Sequence, residues 1–89
     1  MNKLKELQGK LDEVNSQVLN LIVKRNHISK KIGNYKKENN MPIKNPKREK
    51  IVFKKMLVAS EKKGLSKKFV KSFSKLIFEQ SIEEQKNVR

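Results

Sequence analysis

The sequence predicts an all-α protein with three helices per chain, one long and two short, assembled as an intertwined six-helix homodimer. Three observations support this fold class. An apolar seam with a helical period runs through the first forty residues of the chain. Two explicit breaks divide the remainder into shorter helical segments. These segments are too short to cover the seam within one chain.

The first helix is predicted over about residues 2–39. Its first and fourth heptad positions from residue 4 to residue 35 are apolar or aromatic with one exception: Leu4, Leu7, Leu11, Val14, Val18, Leu21, Arg25, Ile28, Ile32 and Tyr35. A period of about 3.5 residues is typical of a helix that packs along a partner helix. At about 1.5 Å per residue this helix is roughly 55 Å long.

Two breaks define the shorter helices. Pro42 follows a pair of asparagines that end the first helix, and Asn45 and Pro46 suit the N-cap and first position of a second helix. This second helix is predicted over about residues 46–62, before Gly64, a residue that favours the position after a helix end. Ser66 caps a third helix, predicted over about residues 66–86.

The helix lengths predict the homodimer. The second and third helices are each roughly 25–30 Å long, about half the length of the first. Folded back within one chain they cover only part of the seam, and a second copy buries the rest. The chain has 89 residues and no cysteine, and a single domain of that size is rarely stable without a partner. We therefore expect residues 1–89 to form one domain of a dimer.

Charge and hydropathy restrict the classes of partner. The formal net charge is +14, but the basic residues are spread along the chain and no aromatic residues are interleaved for base stacking. We expect no nucleic-acid partner, and a positive field that favours a small anionic substrate. The apolar stretch of residues 18–23 is too short to span a bilayer. Without a signal peptide, the expected location is the cytoplasm, with no membrane partner.

Polar residues interrupt the predicted core at four points. Arg25 lies in the seam, where it either binds an anion or turns outward to water or to a glutamate of the partner chain. Lys36 follows on nearly the same face, about 16 Å further along, although it could also be one more solvated lysine. Ser81 and Gln85 continue the apolar stripe of the third helix, unless that helix end emerges into water.

The second helix adds a cation and a carboxylate. Arg48 shares a face with Val52, so we expect it to point inward. Glu49 stands beside it in the first turn, where its charge could also simply favour the helix N-terminus. Arg89, at the terminus, is interpreted as incidental, and His27, on the outer face, is assigned no role. The sequence offers no nucleophile with a base, no metal cluster and no glycine-rich phosphate loop. We expect a site without metal or cofactor that binds an anion and stabilises separated charge.

Several spaced motifs resemble the all-helical (AroQ-class, type II) chorismate mutases. The most specific is the connection over residues 41–49, which is similar to the family's segment leading into its second helix. The ending formed by Glu79, Ser81 and Gln85 is the second. Residues 33–36 and the pair before the third helix also match. The resemblance extends from Leu4 to Gln85, and the start at Met1 favours a free-standing mutase over a fragment of a bifunctional enzyme.

The resemblance implies the Claisen rearrangement of chorismate to prephenate, at the branch to phenylalanine and tyrosine, without a cofactor. By analogy Arg25 binds a substrate carboxylate, while Lys36 and Gln85 donate hydrogen bonds to the ether oxygen. Glu49, with the backbone near Asn45, holds the ring hydroxyl. Arg48 and Ser81 complete the anion-binding side, and Asn45 replaces an aspartate of the family.

The chain departs from the family at Gln8, where members carry an arginine that reaches the partner's substrate. Losing a charge-assisted contact costs about 1.5–3 kcal/mol, so the resemblance implies an active but impaired mutase. Two alternatives stay open. One is a lyase that releases pyruvate from isochorismate, and the other is a weak or inactive dimer that binds a carboxylate ligand or a protein partner.

Overall fold

The computed structural model describes residues 2–87 and contains three helices: α1 (Lys3–Glu38), α2 (Pro46–Lys62) and α3 (Lys67–Lys86). No strand occurs among these residues, and the all-α prediction is confirmed. The bounds of α2 are those predicted. Helices α1 and α3 each begin one residue later than predicted, because Asn2 and Ser66 act as N-caps outside the helix.

The break after α1 is a compact backbone motif. Asn40 adopts a left-handed φ of 54°, a conformation that asparagine tolerates better than most residues. The N–H of Met41 donates to the carbonyl of Lys36 at 2.8 Å, and the N–H of Asn40 donates to the carbonyl of Lys37 at 3.4 Å. This pair of bonds is a Schellman motif. It holds the backbone of Lys36 at the point where the chain turns towards α2.

The two short helices are joined by an equally tight turn. Gly64 has a φ of 75°, and the N–H of Leu65 donates to the carbonyl of Ser60 at 3.0 Å. The hydroxyl of Ser66 then accepts from the N–H of Phe69 at 3.0 Å. At the other end of α2, the side chain of Asn45 accepts from the backbone of the first helical turn. Both predicted caps are confirmed.

Helix α3 packs against both α1 and α2 and lies between them. Its inner side carries the buried residues Val70, Ser74 and Ile77. The hydroxyl of Ser74 contacts the sulfur of Met56 on α2 at 3.7 Å. An ion pair at 3.6 Å joins Lys30 of α1 to Glu84 of α3, although an ion pair this exposed stabilises little.

Nothing among residues 2–87 covers the first half of α1. Every residue from 3 to 21 is exposed, and the seam side chains among them keep about half or more of their surface accessible. The buried residues of α1, Ser29 and Gly33, both lie in its second half. The short helices therefore pack beside the seam rather than over it, because Ile28, Ile32 and Tyr35 in the second half are exposed as well. Within residues 2–87, no helix is long and apolar enough to cross a membrane.

Substitution by alanine should have opposite effects on stability at Gly9 and at Gly64. Neither would bring a new Cβ within 4 Å of other atoms, so backbone conformation decides the result. Gly9 is helical and lies opposite the seam, so Gly9→Ala should stabilise by about 0.5–1 kcal/mol. Gly64→Ala forces alanine into the left-handed region and should destabilise by about 1–2 kcal/mol. Urea unfolding at matched protein concentration measures both, and shifts of equal sign would contradict this account.

Candidate active site

A pocket of about 260 Å³ lies where the three helices and the α1–α2 connection meet. Seven of the eight predicted site residues line it: Arg25, Lys36, Asn45, Arg48, Glu49, Ser81 and Gln85. Aliphatic and aromatic side chains form most of the remaining wall: Ile28, Ile32, Ile43, Val52, Phe78 and Ile82. The pocket thus combines an apolar wall with a small set of charged and polar groups, a composition common to small-molecule sites.

One end of the pocket is formed by Arg25 of α1 and Ser81 of α3. The guanidinium nitrogen Nη1 of Arg25 donates to Ser81 Oγ at 3.2 Å and to the carbonyl oxygen of Ile77 at 3.4 Å. Arg25 is half-buried. It is therefore turned towards α3 within its own chain, and the alternative in which it extends into water is wrong. Because Arg25 has further donors beyond Nη1, the guanidinium can also bind an anion in the pocket.

The other end is formed by Lys36 of α1 and Gln85 of α3. The ammonium Nζ donates to Gln85 Oε1 at 2.9 Å and to the carbonyl oxygen of Ile43 at 2.6 Å. Both side chains are half-buried, so Lys36 is not a solvated surface lysine and this end of α3 does not simply emerge into water. Since the amide oxygen of Gln85 faces the ammonium, its Nε2 group is left as a donor. An ammonium also has a third N–H.

The first turn of α2 closes a third side of the pocket. Asn45 Oδ1 accepts from the backbone N–H of Arg48 at 3.1 Å, so the amide of Asn45 is engaged as a helix cap. Glu49 is half-buried, whereas Arg48 borders the pocket but is exposed rather than buried. Arg48 therefore faces the pocket, as predicted, but its side chain is not buried. Because the α2 N-terminus carries a partial positive charge, it adds to the attraction for an anion.

Sequence reasoning missed two polar groups at the pocket. Ser29 is buried, lines the pocket, and donates from Oγ to Ser81 Oγ at 3.2 Å. Its sequence signal was available, because it follows Arg25 by one helical turn and so shares its face. The carbonyl of Ile43 accepts from Lys36, but a backbone group in a connection leaves no trace in the sequence.

Gln8 is not at this pocket. It is exposed near the start of α1, roughly 25 Å along the helix from Arg25. No Gln8 side chain of the same chain can span that distance. His27 is exposed, as predicted, and Arg89 lies outside the described residues. In residues 2–87 no group of three or more histidine, cysteine, aspartate or glutamate side chains could hold a metal ion.

Comparison with known proteins identifies the relatives of this chain. A sequence model of the family "Chorismate mutase type II" matches residues 7–86. The bifunctional chorismate mutase/prephenate dehydratase of Buchnera aphidicola subsp. Baizongia pistaciae is 31% identical over 85 residues, which are 96% of this chain and 23% of that protein. The bifunctional enzyme of Aquifex aeolicus is 39% identical over 57 residues, 64% of this chain and 16% of the relative.

A shorter relative is the chorismate mutase of Methanocaldococcus jannaschii, 36% identical over 53 residues, which are 60% of this chain and 54% of that protein. The chain thus spans less than a quarter of the bifunctional relatives and about half of this one. The family match includes α1 from Leu7 onwards, all of α2 and all of α3, and hence every residue that lines the pocket. The chain belongs to the chorismate mutase type II family.

Proposed function

We propose that this protein rearranges chorismate to prephenate in its helical pocket, at the branch that leads to phenylalanine and tyrosine. The observation that carries the proposal is the Lys36–Gln85 pair, two adjacent donors held at one end of an apolar pocket whose other end holds Arg25. Family membership supplies the reaction, and this arrangement of donors suits its chemistry.

The rearrangement requires no covalent bond between the protein and the substrate. Within one molecule an ether C–O bond breaks as a C–C bond forms, so no atom is gained or lost and no nucleophile is needed. The enzyme has to select the compact conformer and stabilise the charge that develops. The apolar wall selects a compact shape by contact. It also excludes water, which strengthens electrostatic interactions inside the pocket.

Lys36 and Gln85 stabilise the ether oxygen as it gains negative charge. The bonds of Lys36 to Gln85 Oε1 and to the carbonyl of Ile43 hold the ammonium in place before substrate arrives. Donors that are already oriented need no reorganisation during the reaction, and for that reason they favour the transition state over the ground state. The third N–H of Lys36 and the Nε2 group of Gln85 are the donors assigned to this role.

The remaining polar residues bind and orient the substrate, which carries two carboxylates and a ring hydroxyl. Arg25 and Ser81 bind one carboxylate at their end of the pocket, and Arg48 adds a second cation from α2. Glu49 accepts from the ring hydroxyl, assisted by the backbone near Asn45. This assignment gives each charged group that lines the pocket a partner of opposite charge or complementary hydrogen-bonding type.

We further propose that the protein acts as an intertwined homodimer. The exposed first half of α1 supports this, because its apolar seam from Leu4 to Leu21 lies bare in one chain. A second copy packed antiparallel covers that seam and carries Gln8 to the neighbouring pocket. Since Gln8 donates without charge where the family has arginine, the second substrate carboxylate is bound more weakly and the mutase is impaired.

The first prediction concerns the reaction and Lys36. The wild-type protein should consume chorismate and yield prephenate as its product. Lys36→Ala should lower kcat on the order of 1,000-fold, because the lost contact strengthens as the ether bond breaks. Loss of chorismate absorbance and chromatographic identification of the product measure both effects.

Lys37→Ala is the matched control, because Lys37 is exposed and does not line the pocket. It should retain wild-type turnover. Release of pyruvate from isochorismate, with no prephenate formed, would identify the lyase instead. Near-normal turnover by Lys36→Ala would show that the assigned pocket is not the active site.

The second prediction concerns Gln8. Gln8→Arg should raise kcat/KM for chorismate by about 10- to 100-fold, since it restores a charge-assisted contact to a carboxylate. Ser16→Arg adds the same charge on the face of α1 opposite the seam and should leave kcat/KM unchanged. An equal rise in both variants would mean that net charge, rather than a specific contact, controls the rate.

The third prediction concerns the dimer. Leu11→Glu places a carboxylate in the seam and should produce a monomer that unfolds at lower temperature, because the charge cannot be buried unpaired. Ser16→Glu introduces the same side chain on the opposite face and should remain dimeric. Sedimentation equilibrium over a range of protein concentrations distinguishes the two. A stable folded monomer of the wild-type protein at micromolar concentration would overturn the assembly.

A further inference from the structure

Ser29 is a buried polar residue that the proposed reaction does not use. It lies on α1 one turn after Arg25, is 5% exposed, and lines the pocket. Its hydroxyl donates to Ser81 Oγ on α3 at 3.2 Å. The same oxygen accepts from Arg25 Nη1, also at 3.2 Å. One small hydroxyl on α3 is therefore contacted by two donors from α1.

The hydrogen-bonding capacity of a serine makes this arrangement informative. A hydroxyl has two acceptor lone pairs and a single O–H donor. Arg25, which can only donate, takes one lone pair of Ser81, and a hydrogen bond donated by Ser29 takes the other. With both lone pairs occupied in this way, Ser81 acts towards any further group only as a donor.

The direction of that donor is restricted as well. A serine in a helix commonly donates to the carbonyl four residues earlier, which for Ser81 is Ile77. The Ile77 carbonyl already receives Arg25 Nη1 at 3.4 Å in addition to its place in the helix. Because the carbonyl of Ile77 is already occupied, the O–H of Ser81 donates more favourably to a group in the pocket.

We propose that Ser29 is a positioning residue, which orients the hydroxyl of Ser81 so that its O–H points into the pocket beside Arg25. An anionic oxygen bound there meets a guanidinium and an oriented hydroxyl donor together. The identity of this anion as a substrate carboxylate rests on the proposed function, whereas the orientation of Ser81 does not.

The other buried serines show what a purely structural hydroxyl does in this protein. Ser60, equally buried at 5%, donates to the carbonyl of Leu57 within its own helix at 2.9 Å. Ser74 contacts the sulfur of Met56. Neither lines the pocket. Ser29 differs because its hydrogen bond ends on a residue that lines the pocket, so burial alone does not explain it.

The test is a double-mutant cycle with Ser60→Ala as the matched control. Ser29→Ala should raise the KM for chorismate about 3- to 10-fold, the effect of one hydrogen bond, and change kcat less than about twofold. The Kd of prephenate, a dicarboxylate that does not react further, should rise by the same factor in titration calorimetry.

In the Ser81→Ala background, Ser29→Ala should have little further effect, because its action passes through Ser81. Ser60→Ala should leave KM and Kd unchanged.

The outcomes separate this inference from the proposed function. If prephenate binds with the predicted coupling between Ser29 and Ser81 but chorismate does not react, the positioning role stands and the mutase proposal fails. If chorismate reacts but Ser29→Ala leaves KM and Kd unchanged, or if its effect persists in full without Ser81, the positioning role is wrong. A wild-type protein that neither binds prephenate nor converts chorismate overturns both. Thermal unfolding of each variant confirms that the fold is retained.

Discussion

The contact between α1 and α3 is the constraint on which the rest of the structure depends. Apolar packing drives the helices together but is non-directional, so it does not by itself select one alignment. The polar bonds are more selective: Arg25 meets Ser81 at one end of the pocket, and Lys36 meets Gln85 at the other. A shift of one helix along the other would separate both pairs, at a cost of about 1.5–3 kcal/mol for each lost hydrogen bond to a charged group. The bonds that align the helices also build the pocket.

Much of this arrangement could be predicted because the signals are local or periodic. The seam follows from heptad spacing, and the helix ends follow from residues such as Asn45 and Gly64, whose preferences act within a few residues. Arg25, Ser81 and Gln85 can be recognised as polar side chains on faces that should be apolar, whereas the site roles of Lys36, Asn45 and Glu49 rest on the family resemblance. The carbonyl of Ile43 could not be found in this way, because every residue has a carbonyl and only the three-dimensional path of the connection brings this one to Lys36. The exposure of Arg48 likewise depends on the placement of α2, which periodicity does not determine.

In the dimer that we propose, the exposed first half of α1 would link stability to function. One chain supplies a pocket with three cations and one carboxylate at its edge, yet leaves the seam from residue 4 to residue 21 in contact with solvent. A partner that covers this seam in the proposed dimer would also bring the start of its own α1 to a neighbouring pocket, so one association would bury apolar surface and complete a site. Gln8 would then affect binding without affecting the core, because that position lies beside the seam rather than within it. A chain can lose this charge and still keep its fold.

The two ends of the pocket use the same arrangement. At each end a cation on α1 donates to an α3 side chain that can both accept and donate, Ser81 or Gln85, and occupies its acceptor. The group that remains available on α3 is a donor. At Ser81 a hydrogen bond donated by Ser29 also occupies the second lone pair, so the hydroxyl has no acceptor position left. Both ends therefore present donors, while Glu49 is the one carboxylate among the described residues that line the pocket. A ligand matched to this pattern has negative charge or acceptor oxygens towards both ends and a hydroxyl near α2. The helix alignment therefore specifies the polarity of the ligand as well as the space that it fills.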